Sequence, residues 1–152
     1  MVVDTAIYTV HTGLSALWVG SVLFVASAVL PLAMDGDIRP AAFGRVVSKL
    51  RWVTRISALL LFLTGGHLAG TLYDPASLTG TTGGYLVLTM LAFWFGLAAV
   101  VEIGSARAAR GVENDKIREP AREARPFYYA GVLFSIGLLV VAGLLGTPAT
   151  IL

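Results

Sequence analysis

Residues 5–34 read TAIYTVHTGLSALWVGSVLFVASAVLPLAM, thirty residues without a charged side chain. A helix rises about 1.5 Å per residue and the hydrocarbon core of a bilayer is about 30 Å thick, so about 20 largely apolar residues cross it. Three more stretches have the same character. Residues 56–73, 75–101 and 126–152 carry no charge either. Four spans are therefore expected, at roughly 5–33, 52–73, 83–104 and 127–147.

Backbone groups in lipid must pair within their own segment or within a closed barrel. Runs such as Leu59-Leu60-Leu61-Phe62-Leu63 and Gly137-Leu138-Leu139-Val140-Val141 do not alternate as barrel strands do, so the spans are helices. Composition agrees. Of the 152 residues, 57% are hydrophobic and 13% charged, where a soluble domain carries about 25% charged residues. Lipid must cover the surface that charge does not. The length allows one domain, residues 1–152. The expected fold class is an all-α integral membrane protein, an antiparallel four-helix transmembrane bundle with crossings near 20°.

All eleven basic residues fall in two windows. The first holds Arg39, Arg45, Lys49, Arg51 and Arg55, and the second Arg107, Arg110, Lys116, Arg118, Arg122 and Arg125. Positive charge in short loops marks the cytoplasmic side. Loops 34–51 and 105–126 are then cytoplasmic, and loop 74–82 and both termini lie outside the cytoplasmic membrane. The first span starts with Asp4 rather than a basic segment and is too long for a signal-peptide core, so it is expected to be retained.

In the first basic loop Pro40 suits the start of a helix, which would bring Arg45, Lys49 and Arg51 to anionic headgroups. The second loop mixes signs, with Glu113, Asp115, Lys116, Arg118, Glu119, Arg122, Glu123 and Arg125. It reads as a solvated connector, with Pro120 interrupting it and Pro126 in the first turn of span four. Basic residues at membrane ends, interleaved with acids, are not the footprint of a nucleic-acid binder. No phosphate-binding loop or dinucleotide fingerprint occurs, since the glycines sit inside apolar segments. Cysteine is absent, which removes disulfides, thiolate metal sites and a cysteine nucleophile. No nucleophile, base and orienter set suggests a hydrolase, and no catalytic residue is assigned.

The two histidines, His11 and His67, both fall inside spans. Titratable groups at membrane depth are costly and mark functional sites. His11 is six residues from the outer end of span one and His67 six from the outer end of span two. Each is then roughly 9 Å deep, so the two imidazoles could face each other on one level. Ser15 and Trp18 share the face of His11, and Gly66 and Gly70 form a small-xxx-small pair beside His67. Tyr85, Thr89 and Met90 lie in the outer half of span three. Two imidazoles with the Met90 thioether suit copper, and two imidazoles alone suit a b-type haem. The bland alternative is that the histidines hydrogen-bond neighbouring helices and the chain is a structural membrane subunit. Glu102 is expected to reach headgroups or to pair with Arg55 or Arg107, and Asp4 and Asp74 to lie exposed on the outer face.

His11-Thr-Gly-Leu-Ser-Ala-Leu-Trp18-Val-Gly20, then Phe24 and Val29-Leu30-Pro31, resembles the first helix of the CopD-like copper resistance membrane proteins. The likeness is strong over about 20 residues and otherwise rests on topology. It implies copper binding or passage, for which His11, His67 and Met90 are the ligand candidates read above from position and chemistry. Full copper-resistance proteins are longer, so a transport path here implies a homo-oligomer or a membrane partner. A weaker resemblance joins the chain to the haem-containing four-helix protoporphyrinogen oxidases called HemJ. That family implies a span-one histidine, matched by His11, and a lysine in a later span, for which residues 51–115 offer none.

Overall fold

The computed structural model describes residues 2–112 and 116–147, so Glu113 and Asp115 of the mixed-charge connector lie outside the described residues. Five helices follow one another: α1 (Val2–Asp35), α2 (Pro40–Leu72), the short α3 (Pro75–Gly80), α4 (Thr82–Val112) and α5 (Arg118–Leu145). No strand occurs among the described residues.

Helices α1, α4 and α5 are long and apolar enough to cross a membrane. Three of the four expected spans thus have the length and composition to cross. Helix α2, which contains the expected span 52–73, has the length but is not among them. Arg45, Lys49, Arg51 and Arg55 occupy one half of it, and Thr64-Gly65-Gly66-His67 interrupts the other.

α1 carries a π-turn at Val25–Val29, closed by the Leu30 N–H on the Val25 carbonyl. Pro31 is the cause we assign. It has no N–H to give the Ser27 carbonyl, and the helix widens by a residue just before it. Gly36 ends α1 in the left-handed region (φ 83°), which a residue without Cβ adopts freely. Four residues later Pro40 opens α2 at its first position, as its sequence position suggests.

Most of the described residues in the basic segments are helical. α2 runs unbroken for 33 residues and α4 for 31, about 50 and 46 Å, so each exceeds a hydrocarbon core by several turns. The excess lies at the basic end, where the helices build a tight core. Leu30, Ala33, Phe43, Ala108, Ala121 and Ala124 have no exposure there. Pro120, not Pro126, stands in the first turn of α5, and Pro126 lies in the helix interior. Packing explains the shift: Pro120 is buried against Gly111 at the end of α4, which starts α5 early. Pro120 needs no partner there because first-turn N–H groups have none within the helix. At the other end, loop 74–82 contains α3. Asp74 caps it by accepting from the Ser77 N–H at 2.7 Å, and the Ser77 side chain together with that N–H holds the Asp74 carboxyl below the usual carboxylate range.

Each long helix packs on its sequence neighbour, α1 on α2, α2 on α4 and α4 on α5, and α5 returns to α1. The α4–α5 interface is the most extensive. There Phe134 covers Gly96 and Phe93 covers Gly137, with their rings 5.9 Å apart. Small residues opposite large rings let two apolar helices gain dispersion contact where solvent provides no driving force.

A Cβ at position 111 would stand 1.7 Å from Pro120 Cγ. Gly111→Ala should therefore destabilise the protein by about 1–3 kcal/mol, the usual cost of overpacking. Pro120→Ala in the same chain should recover part of the loss. Thermal unfolding in detergent checks both.

Candidate functional site on the α1–α2 seam

Asp4, His11 and Trp18 recur every seven residues on α1. Seven residues are nearly two turns, so the three side chains form one stripe. The stripe faces α2, and each member meets a polar group there. Trp18 Nε1–H donates to Thr54 Oγ1 at 3.0 Å, with both residues buried. His11 Nδ1 lies 2.8 Å from Thr64 Oγ1. His67 Nε2 lies 3.4 Å from Asp4 Oδ1, and both side chains are well exposed.

Thr64 Oγ1 lies 2.7 Å from the Leu60 carbonyl; with its one hydroxyl proton assigned there, Thr64 accepts from His11 Nδ1–H. In the neutral imidazole the lone pair then sits on Nε2. The ring rests on Gly65, where a Cβ would be 3.0 Å from His11 Cε1. A Cβ there would require the imidazole to give by a few tenths of an ångström. Ser15 turns back to its own helix and donates to the His11 carbonyl at 2.8 Å.

The two imidazoles do not face each other on one level. The partner of His11 on α2 is Thr64, three residues before His67, or about 4.5 Å along the axis. His67 reaches Asp4 instead, seven residues before His11. Equal counts from the helix ends do not give equal depth, because side-chain packing sets the register. Gly66 and Gly70, expected to admit another helix, are exposed with nothing near their Cβ positions. Met90 is partly buried on α4, a helix that packs on α2. Among the described residues no three of His, Cys, Asp or Glu cluster as a metal-binding group.

A second polar cluster lies nearer the basic end. Glu102 on α4 accepts from Arg51 and Arg55 of α2. Arg55 Nη2 is 2.6 Å from Oε1, Arg51 Nε is 3.1 Å from the same oxygen, and Arg51 Nη2 makes a further close contact with it. The expected Arg55 pairing is present and Arg51 joins it. Arg107 lies over the Phe127 ring instead, 4.5 Å from its centroid. Sequence reasoning missed Thr54 and Thr64 as partners. The seven-residue stripe, set against polar positions 54, 64 and 67 on an antiparallel neighbour, was the signal for both.

No protein-family model matches the sequence, and neither a curated protein nor a solved structure is significantly similar to it.

If the His11–Thr64 bond joins the helices, a double-mutant cycle with His11→Ala and Thr64→Val should show a coupling energy of about 0.5–1.5 kcal/mol, the range for hydrogen bonds between membrane helices. Unfolding in mixed micelles measures it, and strictly additive single losses would show that the contact carries no energy.

Proposed function

We propose that the chain is a four-span membrane protein of CopD-like character that binds or passes copper at a histidine site in its outer half. Support for the four-span reading comes from charge placement and from the way α2 packs between α1 and α4. On this reading the basic end is cytoplasmic and both termini lie outside. The absence of native cysteine makes the topology directly testable with single-cysteine variants. In intact cells, Ala76→Cys should react with a membrane-impermeant maleimide. Lys116→Cys should react only after permeabilisation. The opposite pattern would invert the assignment.

The observation that carries the copper reading is the orientation of His11. A metal-binding histidine characteristically donates its other ring N–H to a fixed oxygen, which sets the ring and raises the basicity of the ligating nitrogen. Thr64 plays that part and leaves Nε2 as the ligand. His67, held only by a long contact to exposed Asp4, would join by turning away from it, and Met90 would add a soft thioether. Purified protein loaded with Cu(I) under reducing conditions should bind the metal. His11→Ala should abolish binding, and Thr64→Val should weaken it roughly 10–100-fold. Copper unchanged in a His11→Ala, His67→Ala double variant would refute the proposal.

A b-type haem held by both histidines would use His11 Nε2 as it stands and would require His67 to turn away from Asp4, and a colourless preparation from haem-sufficient cells would count against it. A structural subunit is the second reading that a specific contact favours. His11–Thr64 and Trp18–Thr54 are bonds that hold helices together, whatever else they do. On that reading His11→Gln, whose amide can still donate to Thr64, keeps full function, whereas on the copper reading it does not.

A further inference from the structure

The exposed face of α2 changes character within two turns. Lys49, Trp52, Ile56, Leu59 and Leu63 follow at spacings of three and four, so they form one stripe, and all five are exposed. Arg55 flanks the stripe between Trp52 and Ile56 with its side chain 62% exposed. The upper part of the stripe is thus basic and aromatic, and the lower part is aliphatic.

Three features of this face match one kind of molecule. From Trp52 to Leu63 is eleven residues, about 16 Å, the depth of a single leaflet's acyl layer. Tryptophan is enriched at the headgroup level, where an amphipathic ring has one wet end and one apolar end. The charge there does not cancel. Arg51 and Arg55 share the one carboxylate of Glu102, which leaves one guanidinium charge in excess beside Lys49. Glu102 also holds Arg55 in place through Nε and Nη2, so the remaining donors of its guanidinium are presented with little further ordering.

We propose that this face binds an anionic phospholipid of the cytoplasmic leaflet. The headgroup phosphate meets Lys49 and Arg55, the glycerol region lies at Trp52, and the acyl chains run along Ile56, Leu59 and Leu63. The proposal rests on the membrane-spanning reading above and is independent of copper. A basic residue near the surface favours anionic lipid by about 1 kcal/mol, or roughly fivefold in occupancy.

The test reconstitutes the full chain in nanodiscs of phosphatidylcholine with one-fifth phosphatidylglycerol, extracts it gently, and weighs the retained lipid by mass spectrometry. Phosphatidylglycerol should be enriched over its bulk share. Lys49→Gln and Arg55→Gln should each cut the enrichment about fivefold, and Arg55→Lys should restore most of it. Arg55→Gln leaves the Arg51–Glu102 pair intact, and a thermal unfolding trace confirms that each variant is folded. Inorganic phosphate at 20 mM should not displace the lipid, because the acyl contacts remain. Retained lipid at bulk composition, enrichment that survives the Lys49→Gln, Arg55→Gln double variant, or displacement by phosphate would each overturn the proposal. Failure to enter the nanodiscs at all would overturn the spanning reading with it, whereas entry without enrichment would overturn the lipid site alone.

Discussion

A polar side chain inside an apolar helix has no water to turn to, so it must find its partner on its own helix or on a neighbour. The arrangement of this chain follows from that requirement. Ser15, Ser21, Ser27 and Thr89 bond back to carbonyls one turn earlier, which satisfies them without constraining anything else. Trp18, His11 and Glu102 cannot be satisfied in that way, because their polar atoms sit too far from their own backbone. They reach Thr54, Thr64 and the Arg51–Arg55 pair, all on α2. The one long helix of the four that is not apolar enough over a full span is therefore the one that supplies polar partners to both of its neighbours. Its lower apolarity and its central place in the packing have the same cause. Ser105 and Tyr128 repeat the pattern between α4 and α5, 3.1 Å apart and buried. Trp94 Nε1 and Ser135 Oγ are buried exceptions without a hydrogen-bond partner.

The apolar stretches were legible because they are a property of composition. Charge-free runs long enough to cross a bilayer mark α1, α4 and α5, and Pro40 and Gly36 punctuate the chain where local backbone rules require. Helix ends within the basic segments were not legible. Charges and prolines near residues 34–51 and 105–126 suggest connectors, yet Phe43, Val47, Ala108, Ala121 and Ala124 are spaced to bury one face, and tertiary packing extends the helices through them. Pro126 was misplaced for a similar reason. A proline is tolerated inside a helix when neighbours or water can satisfy the freed carbonyl, so its presence does not fix the start.

The candidate site was legible in its residues and not in its geometry. His11 and His67 stand out because they are the only titratable rings of their kind in apolar sequence. Residue counts from span ends put them level. The real register comes from large side chains: Trp18 buried against Thr54 sets how far α1 slides along α2, and the His11 ring on Gly65 fits that setting. A one-dimensional pattern gives the face a residue occupies, but not the offset between two helices whose ends extend unequally.

The two ends of the molecule are built for different purposes. At the basic end small and large residues close into a core with no exposure, while the charge-poor end leaves Val2, Val3, Tyr8 and Leu72 largely exposed and carries His11 half-covered and His67 exposed. A rigid end and an open end in one short chain divide the work. Packing at the basic end, braced by Glu102 between two arginines, fixes the register of α2 against α4, and Trp18–Thr54 carries that register to α1. His11 lies two turns beyond Trp18, held by Thr64 just past the last fully buried contact of the α1–α2 seam, so the same register that buries Trp18 against Thr54 also places the imidazole.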